Sequence, residues 1–311
     1  MGPPAWAGND PTRAQRVVCR HYQACARHAR RDGRRRSPRC RFRTGEGRTD
    51  IIPLHGALGA RVEGLAAADV EDLPGETVEQ LRKAWAEHLL LLFPGIGLDP
   101  GQQVALARHF GARLAATTEL GEDYYKDWRT LADDGHPEVL LMDTELGHNP
   151  QQTNLWHSDV SFVEDPPIGS LLCMEIPAVG GGDTMWSNQY LAYEGLSEPI
   201  RRLVDRLQAT HGRPHKTGTA VHPVVRRHDV TGRPYLFLNR GWIWAVEGLS
   251  KVESRHVVDM LLESMERPEY QVRWRWSAGD AALWDNRCTL HYAVNDYAGQ
   301  RRRSRRTTIY G

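Results

Sequence analysis

The sequence predicts a mainly β protein with flanking helices, of the α+β kind, built as a barrel or jelly roll. Beyond residue 154, short apolar runs recur at strand length between Gly and Pro signals: 169–176, 184–186, 221–226, 235–238, 272–276, 281–284 and 307–310. Helical periodicity interrupts them only at 188–195, 199–207 and 251–265. No apolar run reaches the roughly 18 residues of a membrane span, so a transmembrane helix is not expected.

The earlier part of the chain adds a lead-in to this pattern. Ile51-Ile52-Pro53-Leu54 and Ala60-Arg61-Val62 read as short strands around Gly56 and Gly59. From 77 to 92 the apolar positions Val78, Leu81, Trp85 and Leu89 recur at helical spacing. The cluster 89–93 has the length of either a buried strand or the end of a core helix. Asp99 is a fitting N-cap for a second helix, with Pro100 at its first position, Val104, Leu106, Ala107 and Phe110 along it and Gly111 as its stop. Residues 112–137 are polar, aromatic and irregular and predict a long loop, followed by a strand over 139–142. No internal repeat appears, and no linker follows residue 50.

Composition bounds the function classes. Among 311 residues, 40% are apolar and 25% charged, which is ordinary for a globular domain and leaves room for one substantial core. The net charge of +1 hides an arginine-crowded stretch over 13–48. Lacking apolar periodicity, residues 1–49 are expected to be a disordered extension, and residues 50–311 the folded domain. The other reading, an arm for nucleic acid or another polyanion, is not favoured. Cys19, His21, Cys25 and His28 lie close together, but their spacing fits no common zinc finger. Five cysteines without framework spacing, with Cys173 and Cys288 inside apolar runs, point to buried thiols and a reducing cytoplasm. Homo-oligomer assembly is left open.

Chemistry concentrates at Trp156-His157-Ser158-Asp159. On a strand, alternate residues share a face, so the His157 imidazole and the Asp159 carboxylate can reach one ion. Two His and one carboxylate suit a divalent first-row metal and leave open positions for other ligands. In a chain with 14 histidines a His-x-Asp dyad alone carries little weight; a strand histidine and a turn carboxylate explain it as well. The C-terminal run Trp284-Asp285-Asn286-Arg287 through His291, followed by Arg301 to Arg306, supplies the second imidazole in a strand-like context.

Taken with Gly181-Gly182-Asp183-Thr184-Met185-Trp186, these blocks resemble the taurine dioxygenase family (the TauD/TfdA group) in content and order. The resemblance runs from about Ile51 to Ile309 and includes Phe162 to Pro167, Leu196 to Pro199 and His222 to Arg226. It implies a double-stranded β-helix, a cupin-like jelly-roll barrel, and an oxidoreductase that uses Fe(2+), 2-oxoglutarate and O2. It also implies His157, Asp159 and His291 as metal ligands. Arg302, helped by the Thr184 hydroxyl, becomes the clamp for the distal carboxylate of 2-oxoglutarate. A guanidinium fork gives such a carboxylate both charge and orientation. Arg306 matches an arginine near the cosubstrate and the acidic group of the prime substrate, and Val160, Trp242 and Tyr125 are the further substrate-side candidates. A strand here would turn Arg302, Ser304 and Arg306 inward, with Arg301, Arg303 and Arg305 outward into water. The activity implied is hydroxylation of a small, anionic organic acid with release of succinate and CO2.

Departures bear on substrate. Phe110-Gly111 leads into Ala112-Arg113-Leu114, so the His and Tyr that contact sulfonate in taurine-specific relatives are not carried over. The loop with Tyr124, Tyr125, Lys126, Trp128 and Arg129 reads either as a lid or as a surface loop packing its aromatics. The segment between Leu207 and His222 is short for the family, and Trp242 and Trp244 are either substrate-side indoles or core. Asp159 argues against halogenase chemistry. Two alternatives remain: the same chemistry on an amino-acid-derived intermediate of secondary metabolism, and a non-catalytic jelly-roll binding protein.

Overall fold

A computed structural model describes residues 40–44, 47–54, 56–115, 129–147 and 153–311, with side chains from Thr49 onward. Its architecture is two facing sheets with helices packed on the back of the larger one. Strands β1 (Cys40–Thr44), β2 (Gly47–Pro53), β3 (Ala60–Glu63) and β4 (Leu90–Phe93) lead into β16 (Ala281–Asp285), β8 (Gly169–Ile176), β18 (Arg303–Tyr310), β7 (His136–Asp143) and β6 (Arg129–Leu131), with β5 (Arg113–Leu114) pairing β18. The small sheet has the order β15 (Gln271–Trp274), β9 (Thr184–Asn188) and β17 (Thr289–Ala293). The predicted jelly roll is present in this form, antiparallel throughout except for the parallel β3–β4 pair.

Side-chain alternation explains why the central strands read as unbroken apolar runs. Leu90, Leu92, Leu172, Met174, Ala282 and Trp284 face the small sheet and share one core with Trp186, Val272 and Leu290. Their neighbours Leu91, Phe93, Leu171, Cys173, Ala281 and Leu283 face the other way into a second core with Leu81, Trp85, Leu106 and Ala107. A sheet covered on both faces needs no polar alternation.

The helices on that outer face are α1 (Gly75–His88) and α2 (Pro100–Arg108). Helix α1 buries Thr77, Val78, Leu81, Ala84 and Trp85, the stripe that the spacing predicts. It stops at His88, short of the expected 92, because Leu89 turns to φ 65° and hands the chain directly to β4. The cluster 89–93 is thus chiefly strand. Helix α2 has the predicted cap: Asp99 accepts from the Gln102 amide, and the Gln102 side chain answers the Asp99 amide. Gly111 ends this region for a steric reason, since a Cβ there would lie 2.3 Å from Ile309 and 2.4 Å from the Tyr310 carbonyl.

Several expectations need correction. The division at residue 49 stays an expectation; strand β2 runs across it and pairs with β1. Residues 1–39, with Cys19, His21, Cys25 and His28, lie outside the described residues. The loop expected over 112–137 contains β5, β6 and the start of β7; these polar segments are strands because they pair, at or near a sheet edge. Its middle, 116–128, which holds Tyr124, Tyr125, Lys126 and Trp128, lies outside the described residues. The run 221–226 divides at Val224 into β11 (Gly218–Pro223) and β12 (Val225–Arg227), which pair with β10 (Gln208–Arg213) and β13 (Pro234–Leu236) respectively. Strand β14 (Ile243–Val246) completes a three-stranded sheet β11-β10-β14. Helices α3 (Gln189–Gly195), α4 (Glu198–Val204) and α5 (Lys251–Met265) occupy the predicted places, α4 ending early where the chain turns into β10.

Arg305 is not in water. It is 4% exposed, pairs with Glu175 at 2.8 Å and also donates to the Leu98 carbonyl, because α2 and its N-terminal approach cover that face of β18. Arg301 and Arg303 are half-buried on Asp143, Glu145 and Glu175.

Candidate metal centre

His157, Asp159 and His291 meet between the two sheets, all buried, with their donor atoms within 4.8 Å of one another. The backbone makes the meeting possible. His157 and His291 exchange amide–carbonyl hydrogen bonds at 3.0 and 2.8 Å, an isolated antiparallel bridge that continues the β17 edge. Their rings lie 4.0 Å apart between centroids, and the Trp284 ring supports His291 from 4.9 Å. Asn286 holds the third residue: its side chain accepts from the Asp159 amide at 2.7 Å and donates to the Asp159 carbonyl at 3.0 Å. Val160 follows at φ 54°, a left-handed backbone that a β-branched residue rarely adopts and that clusters at functional sites.

Hydrogen bonds orient the donors. The Leu155 carbonyl accepts from His157 Nδ1 at 2.8 Å, which turns the lone pair of His157 Nε2 toward Asp159. Asp159 Oδ1 lies 3.9 Å from His157 Nε2 and 3.8 Å from His291 Nε2. Ser170 donates to Oδ2 at 2.9 Å, and Arg306 donates to Oδ1 at 2.9 Å. His291 Nδ1 is buried and has no hydrogen-bond partner among the described residues. Burial pushes the Asp159 carboxyl up, but the Arg306 guanidinium, the two imidazoles and the Ser170 hydroxyl outweigh it and hold the group down at about 2. Burial lowers His157, against the pull of Asp159, and lowers His291 further, with His157 and Arg306 adding to the effect. The trio is an ionised carboxylate with two neutral imidazoles, which is the donor set of a divalent cation. Two donors bonded to one ion at about 2.0–2.2 Å each lie no more than about 4.4 Å apart, and both carboxylate–imidazole separations meet that bound.

The inner face of β18 carries the cations beside this trio. Ser304 precedes Arg306 on it, and Arg302, immediately before the strand, turns to the same side as the alternation predicts and is 8% exposed. Its Nε donates to the Gly182 carbonyl at 3.3 Å, one amino group reaches Ser304 Oγ at 3.4 Å, and the Tyr297 ring lies 6.0 Å away. It forms no salt bridge among the described residues, and burial lowers its pKa. A buried cation without a counter-charge is costly, so this arrangement fits an anionic ligand. Thr184, also buried, stands just after Gly182-Asp183 on β9, and its Oγ accepts from the Trp276 indole at 2.9 Å. With that lone pair engaged, the Thr184 hydroxyl hydrogen points elsewhere and can serve a ligand.

Of the sequence-predicted residues, His157, Asp159, His291 and Arg306 are brought together; Thr184 opens β9 in the small sheet, and Arg302, just before β18 in the large one, donates to the Gly182 carbonyl two residues ahead of Thr184. Trp242 is half-buried and packs against the main core, edge-on to Phe162 at 4.6 Å, whereas Trp244 is 58% exposed. Tyr125 lies outside the described residues. Sequence reasoning missed Ser170, Asn286 as a positioning group and Trp276. Asn286 stood inside a quoted motif, but a contact spanning 127 positions leaves no local signal.

The family model described as "Taurine catabolism dioxygenase TauD, TfdA family" matches residues 50–308. One relative is the alpha-ketoglutarate-dependent sulfate ester dioxygenase of Pseudomonas putida, 35% identical, with 84% of this chain and 89% of the relative covered. Another is the alkylsulfatase of Acinetobacter baylyi, 33% identical, with coverages of 83% and 84%. A solved taurine dioxygenase from Burkholderia xenovorans matches with a TM-score of 0.73 at 32% identity, covering 85% of this chain and 91% of that one. A family match across residues 50–308, joined to relatives aligned over most of both chains, makes the protein a member of the TauD/TfdA family of 2-oxoglutarate-dependent dioxygenases.

Proposed function

We propose that the protein oxidises an alkyl sulfate ester at the carbon next to the ester oxygen, with His157, Asp159 and His291 holding Fe(II). The observation that carries the site assignment is Arg302, a buried guanidinium that no carboxylate of the described residues answers. In this reading it pairs with the distal carboxylate of 2-oxoglutarate, with Thr184 donating to the same group. Bound between these residues, iron and 2-oxoglutarate supply an O2-dependent oxidation that releases succinate and CO2. The chain's own residues set the geometry: Ser170, Asn286 and Arg306 fix Asp159, and the Leu155 carbonyl fixes the His157 ring. Arg306, Val160, Trp242 and Tyr125 are assigned to the prime substrate, the guanidinium serving its anionic group and the indole its hydrocarbon body.

The substrate class rests on the two relatives named for sulfate esters and alkyl sulfates. One oxygen atom of O2 enters succinate and the other the substrate carbon. The resulting hydroxylated ester breaks its C–O bond to give an aldehyde and sulfate, with loss of a proton. No helix among the described residues is long and apolar enough to cross a membrane. The free buried thiols Cys173 and Cys288 support a reducing, cytoplasmic setting.

Anaerobic titration with Fe(II) and 2-oxoglutarate, followed through the weak visible band of their chelate, tests the site. Succinate release across alkyl sulfates, sulfonates and aryloxy acids tests the substrate. Matched succinate, aldehyde and sulfate from an alkyl sulfate is the expected result. Succinate formation that no alkyl sulfate stimulates above the substrate-free rate overturns the substrate assignment.

A further inference from the structure

We propose that Arg213 is a positioning residue for the substrate side of the site, pinning residues 239–243 against His157; this deepens the reading above and rests on it. Arg213 closes β10, and its guanidinium is spent on main chain. One amino group donates to the carbonyls of Gly212, Trp242 and Ile243 at 2.9, 3.1 and 3.2 Å, and the other to Gly241 at 3.0 Å. Its Cζ lies 5.8 Å from the centroid of the Trp244 ring, and no carboxylate pairs with the guanidinium among the described residues. The Gly212 amide adds a 2.7 Å bond to the Trp242 carbonyl, from a backbone at φ 112° where a Cβ would lie 2.2 Å from the Gly218 carbonyl.

The pinned segment touches the centre directly. A Cβ on Gly241 would meet Leu155 Cδ1 at 3.0 Å and His157 Cβ at 3.2 Å, so the main chain lies flush against the first imidazole residue. The Trp242 amide donates to Asn239 Oδ1 at 2.9 Å, and Asn239 Nδ2 donates to Ser158 Oγ at 3.1 Å and Ser161 Oγ at 3.0 Å, either side of Asp159. Trp242 itself stands on Phe162. Thr184 on β9 and Arg302 just before β18 belong to other segments, so Arg213 governs the wall facing the prime substrate and leaves the cosubstrate clamp alone. A planar fork reaches four carbonyls at once, and an ammonium does not.

The test uses Arg213→Lys in the full chain, loaded anaerobically with Fe(II) and 2-oxoglutarate, with n-hexyl sulfate as probe. The dissociation constant for n-hexyl sulfate should rise at least tenfold, succinate should exceed aldehyde in turnover, and 2-oxoglutarate affinity should stay within twofold. Amide exchange at Trp242 and Ile243, measured without substrate, should accelerate. Unchanged exchange, or a folded variant with unchanged sulfate affinity and coupling, overturns the proposal, as does an equal loss of 2-oxoglutarate affinity. If wild-type protein binds no alkyl sulfate, the substrate reading fails on its own, and the exchange measurement still decides whether Arg213 pins the segment.

Discussion

The molecule buries two clusters that look alike in composition: His157, Asp159 and His291 beside Arg306, and His228, Asp285 and Cys288 beside Arg287. Their hydrogen bonds differ. In the second cluster the Val230 and Thr231 amides donate to His228 Nδ1, so Nε2 carries the hydrogen and donates to Asp285 at 2.9 Å. Arg287 grips Asp285 through Nε at 2.9 Å and an amino group at 2.5 Å, and burial pushes the Cys288 thiol well above its ordinary range. Every lone pair that a metal would need on His228 and Cys288 is engaged or protonated. In the first cluster the Leu155 carbonyl takes the far side of His157, and the near sides of both imidazoles converge on one carboxylate oxygen. A metal-like set of residues therefore identifies a site only when the hydrogen-bond account leaves its donors open.

The largest effects should come from breaking the open cluster. His157→Ala and Asp159→Ala should abolish the visible band of the iron–2-oxoglutarate chelate and all succinate release. Asp285→Asn should leave the band intact but lower folding stability by about 3 kcal/mol in denaturant titration, since it removes the buried carboxylate that Arg287 and His228 share and leaves Arg287 only the exposed Asp229. Next in size, Arg302→Ala should raise the 2-oxoglutarate requirement by roughly two to three orders of magnitude, the loss of one charge-assisted pair worth about 3 kcal/mol. A normal requirement there would contradict the clamp.

Acid should separate the clusters more gently. Burial pushes Asp285 up, but Arg287 and His228 outweigh it and hold the carboxyl well below the ordinary range. A depressed carboxyl stabilises fully above its unfolded value of about 3.9, and that contribution is lost as pH falls through the folded value. Wild-type stability should thus fall on acidification below about pH 4, and less steeply in Asp285→Asn. The smallest effect expected is that of Trp276→Phe, which removes the donor to Thr184 and should weaken 2-oxoglutarate binding by roughly five- to tenfold, about 1 kcal/mol. An unchanged affinity would show that the indole does not orient the hydroxyl.

Part of the centre was legible because alternation is a local rule, and it put Arg302, Ser304 and Arg306 on one face; His157 and Asp159 share the site although only His157 is bridged and Asp159 lies in a turn, held by Asn286. The bounds of β8 and α5 also match their predicted ranges, since β8 is a largely apolar run buried on both faces and α5 buries residues at helical spacing. What escaped depends on distant partners. Leu89 leaves the helix through a left-handed turn that its apolar side chain does not announce. Strand β10 hides behind His211, Gly212 and Arg213, whose side-chain and main-chain bonds run to Ser161 and Trp242, tens of positions away, and the four apolar residues of β14 become a strand only by pairing with it. Arg305 reads as surface, and becomes interior because helix α2 and its approach, with Leu98 207 positions away, cover its sheet.

Iron stoichiometry, measured by anaerobic equilibrium dialysis on wild type, Asp285→Asn and His291→Ala, addresses the contrast most directly. One ion per chain should bind to wild type and to Asp285→Asn, and none to His291→Ala. Folded wild type that takes up no iron, or an ion lost from Asp285→Asn yet kept by His291→Ala, would contradict the account.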